Sequence, residues 1–547
     1  MLRNSLITSL FVLSSAACAS PGATAQSLQP GYVDPAPVLE AATRAIGADR
    51  IKCVTVKGNG IGGRVGQERY VRPEGDWPRD RLENFVRTID WHKGAMSDEF
   101  DRTPGMTPAS YKYGMGWLGG TPTQKNLRQF FAVSQGQAWH RDGPTGIPEP
   151  VSPEIAEFWE LDVWLNPVGF LKAAALPGAN PIAAWRWELG ESGRDGPTTS
   201  PERVSVVSIE VMGRYRVNAT INERNLIQRI HTRFPHPVLG DLNIEHEFSD
   251  DAYADLGNGM RFPTHWHHHQ GYDDNFNVQT IASGHNAFDA YLDNITVNQC
   301  GDKIVAPLGL KSPQDPARIV TQQLATGVFL IGGSTHNSVA IELKDHVVIV
   351  EAPLNEARSL AVINETMRLF PGKQIRFLIN THQHFDHIGG LRTYAHIGAT
   401  IITHARNFAF YNRDVVNYIP RMTEPDLVSI MPPTELTEGY SYELVRENYV
   451  LTDGERIIRI NYVQPLELVE GMLMVYLPNE KLLIQADLVN THEPLVPGPS
   501  NGESVLFNMV RTLNYQVDQI VPIHGMPIAW STFLADTGLD NTSAGVK

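Results

Sequence analysis

Thr381-His382-Gln383-His384-Phe385-Asp386-His387-Ile388-Gly389-Gly390 places three histidines and an aspartate within six residues. Ile375-Arg376-Phe377-Leu378-Ile379, just before it, reads as a strand apolar enough to be buried on both faces. A loop at the end of such a strand can turn every one of those side chains toward one point. Neutral imidazoles and a carboxylate are the donor set that suits Zn²⁺. The glycine pair then lets the next helix begin close to that point. Solvated loop histidines do not account for this density and position.

Downstream, Leu482-Leu483-Ile484-Gln485-Ala486-Asp487 is an apolar strand ending in an aspartate, and Ile520-Val521-Pro522-Ile523-His524-Gly525 ends in a histidine. Upstream, short strands at Val328–Ile331, Val339–Leu343 and Val347–Val350 precede a helical pattern over Glu356–Leu369, closed by Pro371-Gly372. This is α/β layering. His-x-His-x-Asp-His after a buried strand resembles the signature of the metallo-β-lactamase superfamily, and the likeness spans roughly residues 318 to 530.

The resemblance implies an αββα sandwich over 318–547 and a centre for one or two metal ions. His382 and His384 would belong to a first site. Asp386, His387 and His524 would belong to a second, with Asp487 between them. Zinc is the expected ion, and the same donors leave iron and manganese open. A metal lowers the pKa of bound water and supplies hydroxide, while Asp386 or Asp487 holds or relays the proton. The family's first site takes one further histidine, and Leu468 occupies that position here. No histidine occurs from 405 to 491. Three outcomes stay open: Glu467 or Glu470 substitutes as a ligand, one metal sits in the second site alone, or catalysis is lost. His404 reads as structural. Between 405 and 450 lie Phe408, Phe410, Tyr411, Tyr418, Met422, Met431, Tyr440 and Tyr442. They read equally as a satellite apolar cluster or as a lid over a substrate pocket.

The preceding region, residues 26–305, turns to β text. Val204–Val211, Tyr215–Ile221 and Leu226–Ile230 are strand-like, with Asn222-Glu223-Arg224-Asn225 as a hairpin turn. Ile155–Ala174 is a helical interruption. Successive hairpins, and Tyr253 followed by Asn258-Gly259-Met260-Arg261-Phe262-Pro263, resemble the curved antiparallel sheet of periplasmic lipoprotein carriers. His265, His267 and His269 would share one face of a strand. They read as a polar, solvent-facing strand, because no carboxylate at a known spacing completes a metal site. Residues 306–317, with Pro307, Pro313 and Pro316, read as a linker.

Residues 1–25 read as a signal peptide. Arg3 is its positive region, Leu6–Leu13 is too short to span a bilayer, and Ala23-Thr24-Ala25 is a cleavage site. Lipidation at Cys18, in Ser15-Ala16-Ala17-Cys18, is the second choice. Cys53 and Cys300, each at a strand-like segment, either pair or remain separate thiols. With a net charge of -15 and no Lys/Arg cluster, nucleic acid is excluded as a partner. The reading is α+β: an N-terminal curved antiparallel sheet followed by a metal-dependent hydrolase domain. The chain would be periplasmic or secreted, without a membrane span. It would use metal-bound hydroxide to cleave an ester, lactone, lactam or related bond of a small molecule. The alternative is a non-catalytic periplasmic ligand-binding protein with a degenerate metal site.

Overall fold

The computed structural model describes residues 31–539 apart from 70–78, 105–126, 190–200, 249–251, 272–284, 300–303, 418, 433–439 and 493. The signal-peptide and Cys18 readings lie outside the described residues, as do Tyr418 and Cys300.

Residues 32–297 form one sheet of fourteen strands among the described residues, with a separate two-stranded piece at Tyr253–Asp255 and Arg261–Pro263. Neighbouring strands of the large sheet are antiparallel throughout. Cys53–Gly63 lies between Arg79–Asp90 and His285–Val297, so an early strand meets the last one, with Val54 opposite Val297. Cys53 is disulfide-bonded. The Asn222–Asn225 turn joins Tyr215–Ile221 to Ile227–His236 as a hairpin. Alternate residues along these strands (Val207, Ile209, Val217, Ile230 and Ile244) share one core with Leu161, Val168 and Phe170.

Those last three residues lie in and around two helices, where the sequence reading had one. Pro153–Asp162 and Pro167–Ala174 are separated because Asn166 caps the second. Its Oδ1 accepts from Gly169 N at 2.8 Å, and its amide donates to Val163 O at 2.9 Å. Pro167 has no N–H to continue the first helix and a φ suited to starting a new one.

Residues 320–445 form a seven-stranded sheet and residues 448–529 a six-stranded one. The strand His346–Val350 explains their relation. Val348 and Val350 join Ile458, Ile460, Val475, Ile484 and Val521 in a cluster between the two sheets. Val347 and Ile349 face the other way, into a cluster with Val362, Ile363, Leu391 and Tyr394 from the helices Glu356–Leu369 and Leu391–His396. On the far side, Val505, Leu506, Val510 and Phe533 of the helices Asn501–Thr512 and Trp530–Thr537 cover Met474, Tyr476, Leu483 and Ile520. A strand covered on both faces must be apolar at every position, and each such side chain contributes roughly 1.5–3 kcal/mol.

The segment 405–450 does two jobs. Phe410 and Tyr411 are buried in the cluster beside the helices, whereas Met422 and Met431 are exposed. Between them the segment grips the N-terminal sheet. Arg421 donates to Pro237 O and Val238 O, and Asp241 accepts from the backbone N of Met422 and Thr423, each at 2.9 Å. Val238 is itself buried in the C-terminal cluster.

Candidate metal centre

Five strand ends supply the centre. Val328–Gly332 leads to His336, and His346–Val350 leads to Glu351. Gln374–Ile379 leads to the His382–His387 loop. Leu482–Gln485 leads to Asp487, and Gln519–Pro522 leads to His524. Ligands in open α/β sheets collect at such carboxyl ends. Asp487 has φ +60°, a left-handed conformation that aspartate tolerates better than most residues, and it turns the carboxylate off the strand axis. A Cβ on Gly389 would lie 1.7 Å from Leu354 O, so only glycine lets the loop seat against the 351–355 turn.

The two oxygens of Asp487 face two groups of imidazoles. Oδ2 lies 3.1 Å from His382 Nε2 and 3.5 Å from His384 Nδ1. Oδ1 lies 3.1 Å from His387 Nε2 and 3.0 Å from His524 Nε2. Asp386 Oδ2 adds to the second group, 3.5 Å from His387 Nε2 and 3.9 Å from His524 Nε2. The six side chains read from the sequence therefore converge.

A seventh joins them. His336 Nε2 lies 3.1 Å from Asp386 Oδ2, and its ring meets His524 edge-on at 4.2 Å between centroids. Its loop is pinned from both sides. Asn337 N donates to Ile523 O, and its amide donates to Pro522 O and Gly525 O. The buried guanidinium of Arg358 donates to Ile331 O at 2.6 Å and His336 O at 3.3 Å. Reading the sequence outward from the His-x-His-x-Asp-His loop missed His336. The available signal was a histidine four residues beyond a buried strand end.

Behind the ligand atoms, polar partners fix the ring orientations. Glu351 is fully buried; Oε2 accepts from His387 Nδ1 at 2.8 Å and Oε1 from Thr381 N at 2.6 Å. Thr381 Oγ1 holds His382 Nδ1 at 3.0 Å, and Thr335 Oγ1 holds His336 Nδ1 at 2.9 Å. Each contact directs Nε2 inward, the usual support for a metal-binding imidazole. Burial, and then the charge of His387, pushes His382 down to about 3; burial pushes His336 down to about 4 against its hydrogen bond to Asp386. Both are therefore neutral donors. Asp386 and Asp487 are held well below the carboxylate range: burial acts upward on both and is overcome by the adjacent imidazoles, His387 first. Burial acts against a charge on His387, and the two carboxylates, Asp487 first, outweigh it and raise that ring well above the usual imidazole range.

The residues fit a divalent cation. Both ring nitrogens of His384, Nε2 of His382 and Oδ1 of Asp487 are buried and make no hydrogen bond. Such groups cost roughly 1–3 kcal/mol each when left so. A divalent ion held by these residues would satisfy them and would supply positive charge beside the two carboxylates. The first group has His382, His384 and Asp487; the second has His336, Asp386, His387, His524 and Asp487. Leu468 packs half-buried in the apolar cluster under Asn501–Thr512. Of the two glutamates nearby, Glu470 pairs with Arg406 at 2.7 Å and Arg69 at 3.8 Å, and Glu467 is exposed. His404 bonds Arg446 O and stacks on Tyr462, away from the ligands.

The N-terminal region reaches this centre through residues 64–69. Phe385 N donates to Gly66 O at 3.1 Å, and the Gln383 amide donates to Glu68 O and Arg69 O. Gln67 Nε2 donates to Asp386 Oδ1 at 2.9 Å. Gly66, at φ +77°, has the Phe385 ring 2.1 Å from where a Cβ would stand.

A search of curated proteins returned no match to the chain. Among solved structures, a metallo-β-lactamase from Pontibacter korlensis is 12% identical, covering 41% of this chain and 98% of that one, with a TM-score of 0.31. A metallo-β-lactamase from Pseudomonas aeruginosa is 15% identical, covering 43% and 99%, at 0.31. One from Hirschia baltica is 17% identical, covering 40% and 94%, at 0.30. Residues 331–509, which hold every side chain of the centre except His524, match the family model described as the metallo-β-lactamase superfamily.

Proposed function

We propose that the chain is an exported, metal-dependent hydrolase of a small molecule, with the C-terminal region layered as helix, sheet, sheet, helix. The observation that carries this reading is the convergence of four imidazoles on the two oxygens of Asp487 at 3.0–3.5 Å, with buried nitrogens left unsatisfied. Divalent ions held there would lower the pKa of bound water and polarise a substrate oxygen. The protein's own part is orientation. Glu351, Thr381 and Thr335 hold the rings of His387, His382 and His336, and Gln67 holds Oδ1 of Asp386. The Asp386 side chain is 34% exposed against 15% for Asp487, so Asp386 is the carboxylate placed to pass a proton to solvent. An ester, lactone, lactam or phosphoester all suit such a centre, since one scaffold hosts many chemistries.

A second reading has an observation of its own. The N-terminal sheet carries a half-open cavity of about 250 Å³ lined by Leu82, Phe85, Phe100, Phe131, Phe158 and Trp159, together with Arg87, Asp98, Arg102 and Asp162. That lining suits an apolar ligand bearing a polar end. One experiment separates the readings. Metal content is measured on the mature chain and on His387→Ala, with hydrolysis of ester, lactone, lactam and phosphoester substrates alongside. Bound metal and turnover that are both lost in the variant support the hydrolase. A chain that stays metal-free after supplementation overturns it. A chain that holds metal yet cleaves none of the substrates favours ligand binding.

A further inference from the structure

Away from that centre, the strands Gly240–Glu247 and His265–Gly271 pair with Glu247 opposite His267 and Glu245 opposite His269. Positions two apart share a face, so this register gathers Glu245, Glu247, His267 and His269 on one patch of the sheet. His267 Nδ1 and His269 Nε2 both point at the same atom, Glu247 Oε2, at 3.6 Å and 4.0 Å. The two rings stand 4.3 Å apart between centroids and are tilted by 54°. One donor atom from each of the three residues lies within 4.8 Å of the others. The side chains are only 14–35% exposed.

Those distances are too long for good hydrogen bonds. They are close to the spacing of metal ligands: donors 2.0–2.2 Å from zinc in a tetrahedron stand ~3.3 Å apart. Small side-chain rotations bring three donors to that spacing. The nearest arginine on this side, Arg229, is engaged with Glu188. On the other flank, His265 pairs with Asp289 at 2.7 Å, and Arg79, His267 and Asp289 line a cavity of about 90 Å³. Arg79 and His265 thus answer Asp289.

We infer that Glu247, His267 and His269 form a second metal site in the N-terminal sheet, one for a divalent ion such as Zn²⁺ that prefers two imidazoles and a carboxylate. It shares no residue with the centre around Asp487 and does not depend on that centre being catalytic. As three protein ligands joining two strands that are not consecutive in the chain, it acts as a clamp on their pairing register with a position open for a fourth, exogenous ligand.

The test uses the full mature chain and zinc alone. Zinc per chain is measured by elemental analysis after equilibration at micromolar free zinc, for the unaltered protein, His267→Ala/His269→Ala and Glu247→Gln. The unaltered chain should hold one equivalent more than the double variant. Glu247→Gln, which keeps the shape, should lose the same equivalent when free zinc is lowered tenfold. The same comparison in a His384→Ala/His387→Ala background removes the other centre's contribution. Circular dichroism confirms that each variant is folded. Equal zinc content in unaltered and double-variant chains, in either background, would overturn the inference.

Discussion

Gln67→Ala tests whether the N-terminal region tunes the metal centre. The Gln67 amide is the partner of Asp386 Oδ1, while His336 faces Oδ2. Removing it frees one oxygen of a carboxylate that the geometry asks to point at His387 and His524. A hydrogen bond to a charged group contributes roughly 1.5–3 kcal/mol, and this one is only partly buried, so the low end applies. About 1.5 kcal/mol is about tenfold in affinity, the lower limit of the 10–100-fold typical for a partner behind a metal ligand. The loop itself should stay in place. Its other contacts to the metal loop run through the backbone carbonyls of Gly66, Glu68 and Arg69, which alanine at 67 retains. Zinc affinity, read by competition with a chromogenic chelator, should therefore weaken about tenfold while the melting temperature of the metal-free chain barely moves. Gly66→Ala is the contrast: its Cβ collides with the Phe385 ring, so affinity and melting temperature should fall together. Should Gln67→Ala bind zinc within twofold of the unaltered chain while Gly66→Ala weakens, Asp386 does not depend on Gln67 and the reasoning fails.

Two further predictions concern buried carboxyl groups. Glu351→Gln keeps the volume but sets an amide donor against either His387 Nδ1 or Thr381 N. Metal affinity should drop 10–100-fold and the metal-free chain should lose roughly 1–3 kcal/mol, read by chelator competition and denaturant titration; unchanged affinity would mean that His387 is oriented by packing alone. Glu68 is buried, and burial raises its carboxyl from 4.5 to about 8. Between those values the folded chain binds a proton that the unfolded chain has released, so stability falls as pH rises through that window, by on the order of 4 kcal/mol in all. Glu68→Gln should flatten this decline in melts run from pH 5 to 8.5. Parallel curves for the two proteins would show that Glu68 does not carry the pH dependence.

How much of this was legible in the chain differs by kind of contact. His382, His384, Asp386 and His387 sit in one loop, and Asp487 and His524 each end an apolar strand; position along the chain and family order find such residues. Their supports are different. Glu351 ends a strand whose sequence, His346–Val350, only announces burial on two faces, and nothing local says that its carboxylate turns toward His387. His336 offered only its place four residues past a buried strand end, and what ties it to the centre is Asn337, bonded to the His524 strand end. The N-terminal histidines show the same limit more sharply. Alternation correctly put His265, His267 and His269 on one face, but the missing carboxylate was sought at a sequence spacing. Glu247 comes instead from the neighbouring strand, by a pairing register that alternation along a single strand cannot give. The single helix read over 155–174 failed for a local reason: Asn166-Pro167 is both a stop and a start, and the apolar pattern carried across it. Leu468 is the clearest case of all. Its identity announced a missing ligand, and a nearby glutamate was one of three outcomes left open, beside a single metal in the second site and loss of catalysis. The fold spends Glu470 on two arginines and enlarges the other half of the centre with His336, so the asymmetry between the two sites is a property of tertiary pairing.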